Sequence, residues 1–145
     1  MRKFTIIITI AVVANLPGCG ANTSNIDTPP PASGVKATVN KISPADALPH
    51  TQAAYSQFID VRTPAEYAAG HAARAVNIPL NELTANLGRI EKNEPVYVIC
   101  ETGRRSDEAA DLLLRSGYSW VFDVAGGTSA WREAGLPIEV SPATK

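Results

Sequence analysis

The amino-acid sequence predicts an α/β fold with a central parallel sheet and helices on both of its faces. Short, mostly apolar runs at 57–61, 96–100 and 119–124 have the length and composition of strands that are buried on both sides. Each run is followed by a turn that contains glycine or proline and then by a helical pattern. Strands that alternate with helices are typical of parallel sheets. The 145 residues, of which 45% are hydrophobic, are enough for one domain with a modest core.

The first residues have the features of an exported bacterial protein. Arg2 and Lys3 precede an apolar run at 4–14, which has the length of a signal-peptide hydrophobic region and is too short to span a bilayer. Leu-Pro-Gly-Cys at 16–19 resembles a lipoprotein cleavage site, so we expect removal of residues 1–18 and lipidation of Cys19. Several acyl chains on this residue would tether the protein to the cell envelope, facing the periplasm. The alternative is ordinary cleavage near Gly18 or Gly20, which would give a soluble periplasmic protein.

The segment that follows, 19–37, is predicted to be a disordered spacer. Ala, Asn, Thr, Ser and Pro dominate it, with three consecutive prolines at 29–31, and such a composition cannot bury a core. The folded domain is therefore expected at 38–141, with a tail at 142–145. Loss of residues 1–18 would change the net charge from -1 to -3, because two basic residues leave with them. The chain has no basic run, which argues against a nucleic-acid partner.

The domain is predicted to begin with an edge strand and a short helix. Residues 36–41 alternate weakly between polar and apolar side chains. Ser43 can cap a helix whose first position is Pro44. Pro49 is expected to end this helix early, and His50 is expected to be a solvated loop residue.

The second strand, 57–61, leads into a helix with a strong start signal. Thr-Pro-Ala-Glu at 63–66 has the pattern of a capping box, and Gly70 is expected to stop the helix. Asp60 and Arg62 stand at the carboxyl end of the strand. They could act as catalytic acid and substrate clamp, or form an ion pair that ties this loop to the next one.

Two short elements then precede the central strand. Residues 75–79 are expected to form a strand. Residues 81–89 are expected to form a helix, since Leu83 and Leu87 are four positions apart and would share one face.

The central strand, 96–100, ends in Cys100 and is followed by a polar loop. Open α/β sheets place their ligand crevices at this end of a strand. Backbone N–H groups of the loop can point at the sulfur, the next helix adds partial positive charge, and Arg104 and Arg105 add full charges. All three favour the thiolate and could bind an anion. The alternative is a buried cysteine that only packs.

The last elements repeat the pattern of strand, turn and helix. A helix at 106–115 is followed by the strand at 119–124. Gly126 and Gly127 then allow a tight turn into a helix that carries Trp131, which is expected in the core.

Three motifs resemble the single-domain rhodaneses, which are thiosulfate sulfurtransferases. The loop Cys100-Glu101-Thr102-Gly103-Arg104-Arg105-Ser106 is similar to their C-x-x-G-x-R-S active-site loop. Residues 60–71 resemble D-V-R-x-x-x-E-Y-x-x-G-H, and residues 126–137 resemble G-G-x-x-x-W-x-x-x-G-L-P. The resemblance spans about residues 38 to 140, with the motifs in the family's order. It departs from the family at 72–75, where Ala-Ala-Arg-Ala replaces Ile-Pro-Gly-Ala and could bring Arg74 to the rim of the site.

The resemblance implies a rhodanese-like fold and a sulfur relay at Cys100. The thiolate would take the outer sulfur of thiosulfate or a similar donor, sulfite would leave, and a thiol or cyanide acceptor would remove the sulfur from the Cys100 persulfide. The remaining loop residues would bind the donor, with Arg104 as the expected outward contact, while Arg105 could instead brace the loop. The resemblance places four residues in the wall of the site: Asp60, Arg62, Glu66 and His71. We favour a structural His71 over a general base, because an ionised thiol needs no proton removal.

Two rival functions are weighed against this one. In the fold-related cysteine phosphatases an arginine stands six residues after the cysteine, whereas here Arg105 is fifth and Ser106 sixth, so the smaller loop suits sulfur better than phosphate. A binding module that has lost turnover is disfavoured by the retained Cys100. If Cys19 is lipidated, Cys100 has no resolving thiol, which disfavours dithiol chemistry. The cysteines and histidines lack ligand spacing, so neither a metal nor another cofactor is predicted.

Overall fold

The computed structural model describes residues 38–141, which form the predicted α/β domain. In chain order its strands and helices are β1 (Asn40–Ile42), α1 (Pro44–Thr51), β2 (Gln57–Asp60), α2 (Pro64–Ala69), β3 (His71–Ala72), β4 (Val76–Asn77), α3 (Leu83–Asn86), β5 (Val96–Ile99), α4 (Arg104–Arg115), β6 (Val121–Val124), α5 (Gly127–Glu133) and β7 (Ile138–Glu139). Single 3₁₀ turns at Leu80–Glu82 and Leu87–Arg89 flank α3.

Five parallel strands form the central sheet in the order β1-β6-β5-β2-β4. β5 lies in the middle, where Tyr97 is level with Phe58 of β2 on one side and Phe122 of β6 on the other. All four β5 residues are buried, as expected for a strand covered on both faces. The parallel sheet predicted from the alternation of strands and helices is confirmed.

Two hydrophobic clusters, one on each face of the sheet, hold the helices in place. One cluster contains Val98 together with Leu83 of α3 and Leu113 of α4. The other contains Ala47 of α1 and Trp131 of α5. Successive strand residues point to opposite faces, so both clusters draw on the same strands. Trp131 is fully buried, which confirms its predicted place in the core.

Two predictions about the first helix are wrong. α1 continues through Pro49 to Thr51, and the amide of Gln52 still donates to the Leu48 carbonyl at 3.3 Å. Proline removes only its own N–H from the helix, and the bond that is lost would have gone to the exposed Ala45. His50 is therefore helical rather than in a loop, and its ring stacks on Tyr97 with centroids 6.1 Å apart.

A small second sheet was not predicted. β3 and β7 pair antiparallel, His71 with Glu139 and Ala72 with Ile138. Each strand has only two residues, which is too short for an alternating pattern to stand out in the sequence.

Several predictions fall on residues outside 38–141. They are the signal peptide at 1–18, the lipidation of Cys19, the spacer at 19–37 and the tail at 142–145. Among the helices of residues 38–141, none has the length and apolar character needed to cross a membrane.

Candidate active site

Cys100 follows the last residue of β5 at the carboxyl edge of the sheet and is a free, buried cysteine. The backbone N–H of Gly103 donates to its Sγ at 3.1 Å. Gly103 has φ of 106° as the N-cap of α4, a conformation that a side chain would strain. The hydroxyl of Ser106 donates to the Gly103 carbonyl at 3.0 Å. Residues 100–103 therefore turn back toward the sulfur before α4 begins at Arg104.

The two arginines of the loop differ in their surroundings. Arg105 forms a two-point ion pair with Glu66, with N–O distances of 2.8 and 2.6 Å. Arg104 is exposed and makes no ion pair with any residue in 38–141, and Thr102 beside it is also exposed. The structure thus has Arg105 in the bracing position that we considered for it. Arg104 is left as the loop cation that faces solvent.

Glu66 joins this brace to the start of α2. The predicted capping box is present: the Glu66 amide donates to Thr63 Oγ1 at 3.3 Å, and the Thr63 amide donates to the Glu66 carboxylate at 3.0 Å. The hydrogen bonds from Arg105 and Thr63 hold the pKa of the Glu66 carboxyl well below its usual range. The same carboxylate therefore caps α2 and fixes Arg105.

Arg62 lies buried at the end of β2 and connects three parts of the site. Its guanidinium pairs with Asp60 at 2.7 Å and with Glu101 at 2.6 Å, and it donates to the Gly70 carbonyl at 2.9 Å. Burial alone would lower the pKa of Arg62, but the hydrogen bonds and charges of Asp60 and Glu101 raise it. The ion pair between Asp60 and Arg62, one of our two interpretations, is present, and the contact of Arg62 with Glu101 ties the β2 loop to the Cys100 loop.

Sequence reasoning missed two residues of α5 that contact Glu101. Arg132 pairs with the carboxylate at 3.0 Å, and the Ser129 hydroxyl donates to it at 3.2 Å. Arg132 also donates to the Gly70 carbonyl at 2.9 Å. Burial alone would raise the pKa of Glu101, but Arg62, Ser129 and Arg132 lower it. The order of the strands could have indicated these contacts. α5 follows β6, which lies next to β5, so the first residues of α5 lie at the same edge of the sheet as Cys100.

The double-glycine turn before α5 supports the Cys100 loop directly. A Cβ at Gly127 would lie 2.4 Å from the Cys100 carbonyl oxygen. The same carbonyl accepts from the Thr128 amide at 2.7 Å and from its hydroxyl at 3.0 Å, and the Ser129 amide donates to the Glu101 carbonyl at 3.1 Å. Only glycine at 127 permits this approach, so the backbone at the start of α5 packs directly against the backbone of Cys100 and Glu101.

His71 is buried and its ring stacks on Tyr67 with centroids 3.6 Å apart. Its Nδ1 donates to the Tyr67 carbonyl at 2.9 Å, and its Nε2 lies 3.7 Å from the Glu139 carboxylate. These contacts are those of a hydrogen-bonded structural histidine.

Arg74 has φ of 68° and donates to the Gln52 carbonyl at the end of α1. Its guanidinium is thus engaged with the loop after α1.

A pocket of about 380 Å³ opens beside Arg105. Val61, Leu80 and Leu112 supply its apolar lining, and Thr63 and Arg105 supply polar groups. The pocket lies between the start of α2, the 3₁₀ turn before α3, and α4. A small molecule with an apolar portion fits such a lining.

A family model and several known proteins are similar to this chain in sequence or fold. Residues 43–134 match the family described as Rhodanese-like domain. A sulfurtransferase from Allochromatium vinosum is 38% identical over 80 residues, which are 55% of this chain and 75% of that protein. Thiosulfate sulfurtransferase 16, chloroplastic, from Arabidopsis thaliana is 34% identical over 98 residues, covering 57% of this chain and 79% of that protein. The crystal structure of a rhodanese-related protein from Thermoplasma volcanium has a TM-score of 0.64 at 32% identity and covers 70% of this chain and 99% of that one. The match to residues 43–134 spans more than half of the sequence, and the chain therefore belongs to the rhodanese-like domain family, which includes sulfurtransferases among its relatives.

Proposed function

We propose that this protein is a sulfurtransferase that carries a sulfane sulfur on Cys100. The observation that carries the proposal is the Gly103 amide, which donates to Cys100 Sγ at 3.1 Å at the mouth of a strand-end loop. Such a donor stabilises negative charge on Sγ, the form of the thiol that attacks a sulfur donor. The sulfurtransferase names of the Allochromatium and Arabidopsis relatives support the same reaction class.

The proposed reaction has two steps. The Cys100 thiolate attacks the outer sulfur of thiosulfate, a new S–S bond forms, and the bond between the two thiosulfate sulfurs breaks. Sulfite leaves with that electron pair, so Cys100 holds a persulfide. A thiolate or cyanide acceptor then attacks the outer sulfur of the persulfide, and the Cys100 thiolate leaves with its electron pair. No external oxidant or reductant is required, because the sulfur is already at the sulfane oxidation level in the donor and keeps that level when it is transferred.

The donor is proposed to be thiosulfate or a similar small anion. Arg104 is exposed and unpaired within the described residues, so its charge is available to an incoming anion. The loop residues Glu101, Thr102, Gly103, Arg105 and Ser106 would shape the cradle around the sulfur. Asp60, Arg62, Glu66 and His71 would hold its wall through the contacts described above.

The state of Arg105 weighs against phosphate-ester hydrolysis. A phosphatase needs its loop arginine free to bind the phosphoryl oxygens. Here Arg105 is the fifth residue after Cys100 and both of its terminal nitrogens are engaged by Glu66. We therefore expect no turnover of an aryl phosphate.

The test is the mass of the full chain after treatment with thiosulfate. We expect an increase equal to one sulfur atom, its loss on addition of cyanide with release of thiocyanate, and no increase in Cys100→Ser. Peptide mapping should place the extra sulfur on Cys100 and leave Cys19 unchanged. A folded protein that gains no sulfur from thiosulfate would refute the enzyme and leave the binding module as the better account.

We also propose that the chain is exported and tethered to the cell envelope through Cys19. Support comes from Arg2 and Lys3, the apolar run at 4–14 and the Leu-Pro-Gly-Cys sequence at 16–19. We expect the mature N-terminal peptide to begin at a lipid-modified Cys19, and Cys19→Ser to move the protein from the membrane fraction to the soluble fraction. A mature peptide that begins elsewhere, without lipid, would exclude the tether.

A further inference from the structure

Glu101 carries a negative charge in the loop that starts at Cys100. It is the residue directly after Cys100, and its side chain is about one-third exposed, with a relative exposure of 35%. Its pKa lies below the ordinary glutamate value, so it is ionised at neutral pH. An uncompensated carboxylate at this position would repel an anionic sulfur donor.

The buried pair on the β2 side does not fully cancel this charge. Arg62 contacts Glu101, but the same guanidinium also pairs with the buried Asp60. These three side chains carry two negative charges and one positive charge. Arg132 supplies the missing cation from α5, through its contact with the other carboxylate oxygen of Glu101.

With Arg132 present, Arg104 and the ion-paired side chains of this site together carry one net positive charge. Arg105 and Glu66 neutralise each other, and Asp60, Arg62, Glu101 and Arg132 form a second neutral set. Arg104 then remains as the unpaired cation. Without Arg132 the loop and its paired side chains would sum to zero.

The geometry also fixes where the Glu101 carboxylate points. Arg62 and Arg132 both donate to the Gly70 carbonyl, which holds the two guanidinium groups on either side of the carboxylate. Ser129 donates to the oxygen that Arg132 contacts. The carboxylate is thereby held toward α5 and the β2 loop.

We infer that Arg132 is a positioning residue that neutralises Glu101 and so gives the Cys100 loop its preference for anionic reagents over neutral ones. The inference deepens the proposed function, because it rests on a sulfur donor that is an anion. It predicts that the effect of removing Arg132 depends on the charge of the reagent and on the presence of Glu101.

The first test measures alkylation of Cys100 in the full chain by iodoacetate, an anion, and by iodoacetamide, its neutral counterpart. Mass spectrometry of the Cys100 peptide separates its reaction from that of Cys19. In Arg132→Gln we expect the ratio of the iodoacetate rate to the iodoacetamide rate to fall about threefold to tenfold. Adding Glu101→Gln should restore the ratio, and Arg132→Lys should keep it close to that of the unaltered protein.

The matched control is Arg115→Gln, which removes the same charge from the last turn of α4, about 16 Å along the helix from the loop. We expect it to leave the ratio unchanged. If Arg132 only braces α5, Arg132→Gln should change both alkylation rates by the same factor and Glu101→Gln should not reverse the change. Either of these results would overturn the inference.

The second test measures thiosulfate turnover in the same variants. We expect kcat/KM for thiosulfate to fall about threefold to tenfold in Arg132→Gln and to recover in the double variant with Glu101→Gln. A protein that shows the shift in alkylation ratio but takes no sulfur from thiosulfate would refute the proposed function alone. A protein that turns over thiosulfate equally well with and without Arg132 would refute the role of Arg132 alone.

Discussion

The turns after β5 and β6 lie side by side at the carboxyl edge of the sheet and begin their helices in the same way. Each helix has a glycine with positive φ at its N-cap, Gly103 at 106° and Gly126 at 71°. The β5 turn carries a thiol and leads to an exposed arginine. The β6 turn carries no ionisable side chain, and its helix donates amide hydrogens to the carbonyls of Cys100 and Glu101.

The two turns have similar backbones but different roles. One holds the thiol, and the other leads into the helix that supports the backbone of the first. The β5 turn directs an amide at Sγ, which leaves its carbonyls in need of partners inside the protein. The first turn of α5, directly after the β6 turn, supplies those partners, and it can do so only because Gly127 has no side chain. The geometry of the candidate site therefore depends on a segment that contributes no reactive group.

Replacing Gly127 by alanine should have the largest effect on this arrangement. Its Cβ would lie 2.4 Å from the Cys100 carbonyl oxygen and 2.7 Å from the Glu101 backbone, and φ of 63° adds strain. We expect Gly127→Ala to lower the free energy of unfolding by about 3 kcal/mol. Urea denaturation of the full chain, followed by circular dichroism, measures the change.

Gly103→Ala is the matched control for this prediction. Its φ of 106° is also unfavourable for alanine, but the nearest atom to the added Cβ, the Gly126 amide nitrogen, lies at an ordinary contact distance of 3.8 Å. The expected cost is therefore backbone strain alone, about 1 to 2 kcal/mol. Equal losses in the two variants would show that close packing between the turns is not what requires glycine at 127.

The sequence predicted those parts of the molecule that depend on local patterns. The buried strand before Cys100, the capping box at Thr63 and Glu66, and the glycine turn at 126–127 follow from residue types only a few positions apart. The cysteine at the strand end and its polar loop were identified for the same reason.

The contacts that sequence analysis did not provide arise from packing between distant segments. Arg132 meets Glu101 across 31 positions because α5 lies against the loop. For Arg105 the spacing left two orientations open, and the choice depends on Glu66, 39 positions earlier. The extension of α1 past Pro49 was missed because one absent N–H does not outweigh the packing of the whole helix.

The ion pair between Glu66 and Arg105 has no counterpart at the β6 turn, and its removal is expected to have a smaller effect on stability. Glu66→Gln keeps a side chain that can cap α2 but removes the ion pair with Arg105. Because the pair is partly exposed, we expect a loss of about 1 kcal/mol in the free energy of unfolding at pH 7. Glu133→Gln, an exposed glutamate at the end of α5, is the control and should change stability little.

The pH dependence of this loss identifies its source. Arg105 and Thr63 lower the pKa of Glu66 in the folded protein, so the contribution of its charge is complete above the unfolded glutamate pKa of about 4.3. As the pH falls below that value toward the folded pKa, the unfolded chain gains a proton first and the contribution declines. Urea denaturation from pH 7 downward should therefore show the stabilities of the unaltered protein and Glu66→Gln approaching each other. A difference that stays constant with pH would mean that Glu66 acts through packing, and that the β5 turn needs no charged brace.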